Sequence, residues 1–123
     1  MHSRPIKPLM EVEKVGDVAV VRFLQQRLLH PEMIEDATRQ LEELAEHAPC
    51  SHFVLHFGNV ESMTSAMAGK LVGLQRKVSE AGGELVLCEV GAFLMEIFKI
   101  LKLPRVLRIY ADEQQALQSF SGH

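Results

Sequence analysis

Much of what builds a simple functional site is scarce in this chain. Its 123 residues hold no tryptophan, one tyrosine and two cysteines. Cys50 and Cys88 have no metal or redox spacing, and a free buried cysteine behaves as a small hydrophobe, so no nucleophile is expected. The first residues lack the basic-then-apolar pattern of a secretion signal, and the expected setting is reducing and cytoplasmic. No apolar run approaches the roughly 18 residues of a membrane span. Gly69-x-x-x-Gly73 lies among Lys70, Arg76 and Lys77, so that spacing is not a membrane packing motif. An excess of positive charge is also missing: 13 Lys+Arg stand against 16 Asp+Glu, which argues against nucleic acid as a partner. The eight glycines form neither G-x-G-x-x-G nor G-x-x-x-x-G-K-[ST], so no phosphate-cradling loop is present. Of the six histidines only His52 and His56 share a strand face, roughly 13 Å apart at strand spacing and too far for one ion. His56 reads as a strand-end histidine with a satisfied hydrogen bond. Neither an enzyme nor a metal or other cofactor has a motif behind it.

What is present is a core. At 47% hydrophobic content the chain fits one domain, expected over 9–120, with a loose arm at 1–8 holding two prolines and a short tail at 121–123. A short extended stretch at 9–12 and the Gly16-Asp17 turn signal precede an apolar strand at 18–23, as in a hairpin. After Pro31, residues Ile34, Ala37, Leu41, Leu44 and Ala48 recur at helical spacing until Pro49. Strands follow at 52–57, 84–88 and 106–110, and helices at 65–81, 91–101 and after Asp112, a plausible N-cap. Strand-helix alternation with short connections predicts a small α/β domain: a mainly parallel sheet of four to five strands, an antiparallel edge strand and about four helices. Gly69 is expected to let its helix pack closely on the sheet. Acids crowd 32–46, while Lys99, Lys102, Arg105 and Arg108 gather elsewhere; two solvated faces are favoured over a docking surface.

The most informative segment is the junction where the apolar strand runs through Gly58-Asn59-Val60 into Ser62-Met63-Thr64-Ser65-Ala66-Met67-Ala68-Gly69-Lys70. It delivers hydroxyls to a helix N-terminus, where unpaired N–H groups and the helix dipole favour a capping oxygen or a phosphate. Thr64 or Ser65 capping the helix, worth about 1 kcal/mol, would account for either residue structurally. Phosphorylation of one of them by a partner kinase is the functional alternative, adding about −1.5 to −2 charges to an exposed surface.

In this junction, together with Gly16-Asp17-Val18, the Ala81-Gly82-Gly83 turn and the ending through Leu103, Tyr110 and Asp112, the chain resembles the STAS domains, the family of bacterial anti-sigma-factor antagonists, over roughly 9–120. The resemblance implies a non-enzymatic module that binds a serine-kinase anti-sigma factor and is shut off by serine phosphorylation at the junction. The family's usual Asp-Ser-Ser-Gly-Leu-Gly, modified on its second serine, reads here Thr64, Ser65, Ala66, Met67, Ala68, Gly69. Alanine therefore stands at the usual acceptor position, and the acidic residue of the preceding strand corresponds to His56. Ser65, then Thr64, become the candidate acceptors. A structural or adaptor subunit of a signalling or lipid-transport complex is the alternative, and a small-molecule binder a weaker third.

Helix 91–101 is apolar nearly all round, through Phe93, Met95, Ile97, Phe98, Ile100 and Leu101, where Leu94, Ile97, Phe98 and Leu101 would suffice inward. Exposed apolar surface is expected there, for a protein interface or a homodimer, with a helix tucked under a terminal segment as the equal alternative. The expected contact set is Asn59, Ser62, Met63, Thr64, Ser65, Met67 and Lys70, with Phe93 and Met95 beside it.

Overall fold

Alternation along the strands assigns the two faces of the sheet. A computed structural model describes residues 8–47 and 51–120. Strands β1 (Met10–Val15), β2 (Val18–Phe23), β4 (His52–His56), β6 (Glu84–Cys88) and β7 (Arg108–Tyr110) lie side by side in that order. β1 runs antiparallel to β2 and the other neighbours pair in parallel. Ala19, Val21, Phe23, Phe53, Leu55, Leu85 and Leu87 point to one face and join the large core with residues of α1 (Pro31–His47), α2 (Ser65–Glu80) and α3 (Ala92–Ile100). Val18, Val20, Val54, Val86 and Cys88 point to the other, beneath Ala116, Leu117 and Phe120 at α4 (Glu113–Gln118). Both faces of the central strands are covered, which explains their unbroken apolar sequence. Burial pushes the Cys88 thiol up to about 12, with Glu89 and Glu113 adding to the shift, so it stays protonated and unreactive.

The expected architecture is thus the observed one: a five-stranded mixed sheet with an antiparallel edge and four α-helices. Gly16, with φ of +61°, occupies the first position of the β1–β2 turn, as a primed hairpin turn requires. Asp112 caps α4 by accepting from the Gln115 N–H at 2.8 Å. Residues 1–7, 48–50 and 121–123 are outside the described residues, and with them all of the expected arm but Pro8, the tail, Cys50 and the Ala48-Pro49 helix end.

Three local features differ from expectation. Residues 106–110 do not all extend: Lys102 turns left-handed at φ +61° and Leu103–Arg105 close a 3-10 turn around Pro104, leaving only Arg108–Tyr110 as β7. A second, two-stranded parallel sheet joins β3 (Arg27–Leu28) to β5 (Ser62–Met63), pieces too short to leave a periodic signal. Gly69 does not pack on the sheet. It is exposed, as is Gly73, and a Cβ on either would meet nothing within 4 Å.

The end of α2 is set by two glycines with different jobs. Gly82 N–H donates to the Ser79 carbonyl at 3.0 Å and Gly83 N–H to that of Val78 at 2.9 Å, a Schellman motif with Gly82 at φ +88°. Gly83 passes so close to the chain entering β4 that an added Cβ would collide with the Ser51 carbonyl oxygen. Gly83→Ala is expected to cost about 2–3 kcal/mol in urea unfolding, because backbone on both sides must shift. Gly69→Ala, at an open helical site, is expected to gain about 0.5–1 kcal/mol.

Candidate functional site at the strand-helix junction

The junction begins where β4 ends. Phe57 continues the ladder by donating its N–H to the Cys88 carbonyl at 3.0 Å, and its ring is fully buried. Gly58 N–H then donates to His56 Nδ1 at 3.1 Å, folding the chain back over the imidazole. A Cβ at Gly58 would lie 2.6 Å from His56 Cε1, so any larger residue there would have to turn the imidazole out of this position. Asn59 Nδ2 reaches the Phe23 carbonyl at 3.4 Å, and Glu61 N–H donates to the Gln26 carbonyl at 2.7 Å. The β3–β5 pair completes the tether, with Thr64 N–H on the Leu28 carbonyl at 3.3 Å. The loop is thereby held to β2, β3 and β4.

His56 has the satisfied hydrogen bond expected of it. Its Nδ1 lone pair is taken by Gly58, so the proton of the neutral ring lies on Nε2, 3.8 Å from Glu113 Oε1. Glu113 also accepts from Arg22 at 2.7 Å, Arg22 donates at 2.8 Å to Glu13, and Glu89 accepts the Glu113 N–H at 3.2 Å. Hydrogen bonding to Glu13 and the charge of Glu113 hold the Arg22 guanidinium more firmly protonated, against partial desolvation. This network joins β1, β2, β4 and α4 behind the junction. Arg22 and Glu113 stand 91 residues apart, so no local pattern could announce their pairing.

Thr64 is the N-cap of α2: its backbone is extended and its Oγ1 accepts from the Met67 N–H at 3.2 Å. Ser65, the first helical residue, is exposed, and among the described residues its hydroxyl makes no hydrogen bond. No acidic side chain occupies the first turn to neutralise the positive helix end. Thr64→Ala is therefore expected to destabilise the fold by about 1 kcal/mol in denaturant melts, whereas Ser65→Ala is expected to leave stability within about 0.5 kcal/mol.

Asn59, Ser65 and Lys70 are exposed, and Ser62 and Thr64 are half-buried at the same end of the molecule. Met63 and Met67 correct the expected contact set. They are 5% and 0% exposed, because β5 pairing turns Met63 inward and Met67 lies on the α2 stripe with Leu71, Leu74 and Val78. Met95 is half-buried against the main core rather than open, while Phe93 is 69% exposed. Phe93 borders a cleft of about 630 Å³ with Gly58, Val60, Glu61, Glu89, Gly91 and Ala111, directly beside the junction loop. The sequence reading missed Glu61 and Glu89 at this cleft, and missed that Ala66, Gly69 and Gly73 give α2 a bare outer surface.

No helix among the described residues is long and apolar enough to cross a membrane, and no group of three or more His, Cys, Asp or Glu could hold a metal ion. The STAS domain family model matches residues 10–116. An anti-sigma F factor antagonist of Paenibacillus polymyxa is 28% identical over 109 residues, covering 88% of this chain and 91% of that protein. An anti-sigma-factor antagonist (STAS) domain protein from Planctomyces limnophilus superposes with a TM-score of 0.78 at 23% identity, covering 89% of this chain and 95% of the other. The Bacillus cell fate determinant SpoIIAA in its phosphorylated form superposes with a TM-score of 0.67 at 18% identity, covering 89% and 97%. With the sheet order, the tethered loop and the helix it feeds all in place, this chain belongs to the STAS domain family.

Proposed function

We propose that this chain is an anti-sigma-factor antagonist that acts by binding a serine-kinase anti-sigma factor, through loop 58–64 and the outer face of the first turns of α2. The observation that carries the reading is the surface of α2. Ala66, Gly69 and Gly73 face solvent, and each interior helical glycine costs about 0.8–1 kcal/mol relative to alanine. Nothing within the fold needs Gly69 or Gly73, since a Cβ at either would touch nothing within 4 Å. A partner whose backbone approaches this helix closely would need them. Lys70 borders the bare strip on the same helix, and Asn59 is exposed on the loop that leads into it, each available as a polar contact.

Ser65 is the proposed modification site. Its hydroxyl is exposed at the positive end of α2, where a phosphate gains from the helix dipole and free N–H groups. Thr64 is the lesser candidate, because its Oγ1 already caps the helix. The partner supplies nucleotide and phosphoryl transfer, and this chain contributes only the acceptor and the docking surface. SpoIIAA, a relative in fold, has been solved phosphorylated, which supports a switch of this kind.

Incubation with candidate serine kinases and ATP, followed by mass spectrometry, tests the reading. Phosphate within residues 62–65 that disappears in Ser65→Ala is the expected result. A stable complex without phosphate would favour the adaptor alternative, which Ala66 at the usual acceptor position makes specific.

A further inference from the structure

Phe93 and Ile100 are 69% and 77% exposed, unusual for such large apolar side chains. They stand seven residues apart on α3, two turns or about 10 Å, on the same side of the helix, with half-buried Ile97 between them. The two ends of this apolar ledge carry opposite charge. At the Phe93 end, Glu61 and Glu89 border the same cleft as the phenyl ring. Just beyond Ile100, Lys102 and Arg105 are exposed and make no ion pair among the described residues, whereas Lys99 and Arg108 are neutralised by Glu96 at 3.8 Å and Glu84 at 3.5 Å.

An apolar strip with a negative end and a positive end is complementary to itself when turned around. We infer that this face of α3 pairs with the same face of a second copy, antiparallel about a twofold axis near Glu96 and Ile97. Phe93 of each chain then meets Ile100 of its partner, and Glu61 and Glu89 meet Lys102 and Arg105 twice over. Such isologous contacts close after two copies and leave no free half-interface. A flat anionic lipid surface fits less well, because it would press Glu61 and Glu89 against like charge. The ledge is small, so the dimer belongs to the weak, concentration-dependent class. The inference is independent of the anti-sigma-factor reading, as its test uses this protein alone.

Sedimentation of the full chain through a concentration series is the test. The weight-average mass is expected to rise from 13.8 kDa toward about twice that value. Phe93→Glu, at an exposed site and with circular dichroism to check that the fold is kept, is expected to weaken association at least about tenfold. Lys102→Asp with Arg105→Glu makes both ends negative, and Glu61→Lys with Glu89→Gln removes the negative end. Each double variant alone is expected to stay monomeric, and an equimolar mixture to pair. A wild-type chain that stays at 13.8 kDa throughout overturns the inference, as does a Phe93→Glu protein that associates like wild type, or a mixture that pairs no better than its components.

Discussion

Phe57→Ala is expected to cost about 3–5 kcal/mol, the largest single loss of stability among the substitutions considered. The ring is fully buried where β4 becomes the junction loop, 5.0 Å from the ring of Phe23 and 5.9 Å from that of Phe98, centroid to centroid. It therefore joins β2, the junction and α3 in one contact. Truncation leaves a cavity whose walls are two other buried rings, each held by its own element and unable to collapse inward. Against a total of about 5–15 kcal/mol for a domain of this kind, the loss leaves a marginal protein. Urea unfolding followed by circular dichroism checks it; a loss below about 2 kcal/mol at unchanged m-value would mean that the site repacks.

Ser65→Glu is expected to weaken binding to the proposed anti-sigma-factor partner at least about a hundredfold, close to 2.7 kcal/mol, because a fixed negative charge would be driven into a closely packed interface. The same substitution is expected to raise the stability of the free protein by about 0.3–1 kcal/mol, since an anion at the first turn of α2 is favoured by the helix dipole. Opposite signs for folding and binding separate a docking effect from damage to the fold. Ser65→Ala is expected to bind like wild type and to be insensitive to kinase and ATP. Isothermal titration of both variants with the partner, alongside thermal melts, reads the two effects. Equal affinity for Ser65→Glu and wild type would move the switch elsewhere.

The fold was largely legible because its determinants are local. Apolar runs at β2, β4 and β6 reflect burial on both faces, and helical spacing in α1 and α2 follows from one-sided burial. Asp112 and Gly82 act within a few residues of where they stand, and each is seen in the role its residue type favours. The parts that escaped depend on residues distant in sequence or on pieces too short for a period. β3 and β5 are two residues each, and their pairing buries Met63, which as sequence looked like part of an exposed loop. Met67 was expected as a contact, but it lies on the buried stripe of α2, which packs it against the sheet. Gly69 was misread because a helical glycine can serve close packing inward or a bare surface outward, and only the orientation of α2 separates the two. The Arg22–Glu113–His56 network had no local trace at all.

The central claim, that a partner docks where β4 hands over to α2, is tested most directly by hydrogen exchange of this protein alone and in complex with the proposed serine-kinase anti-sigma factor. The account predicts added protection across residues 58–70, with α1 and α4 exchanging as in the free chain. Protection confined to α1, α4 or the β1 edge, with residues 58–70 unchanged, would contradict it.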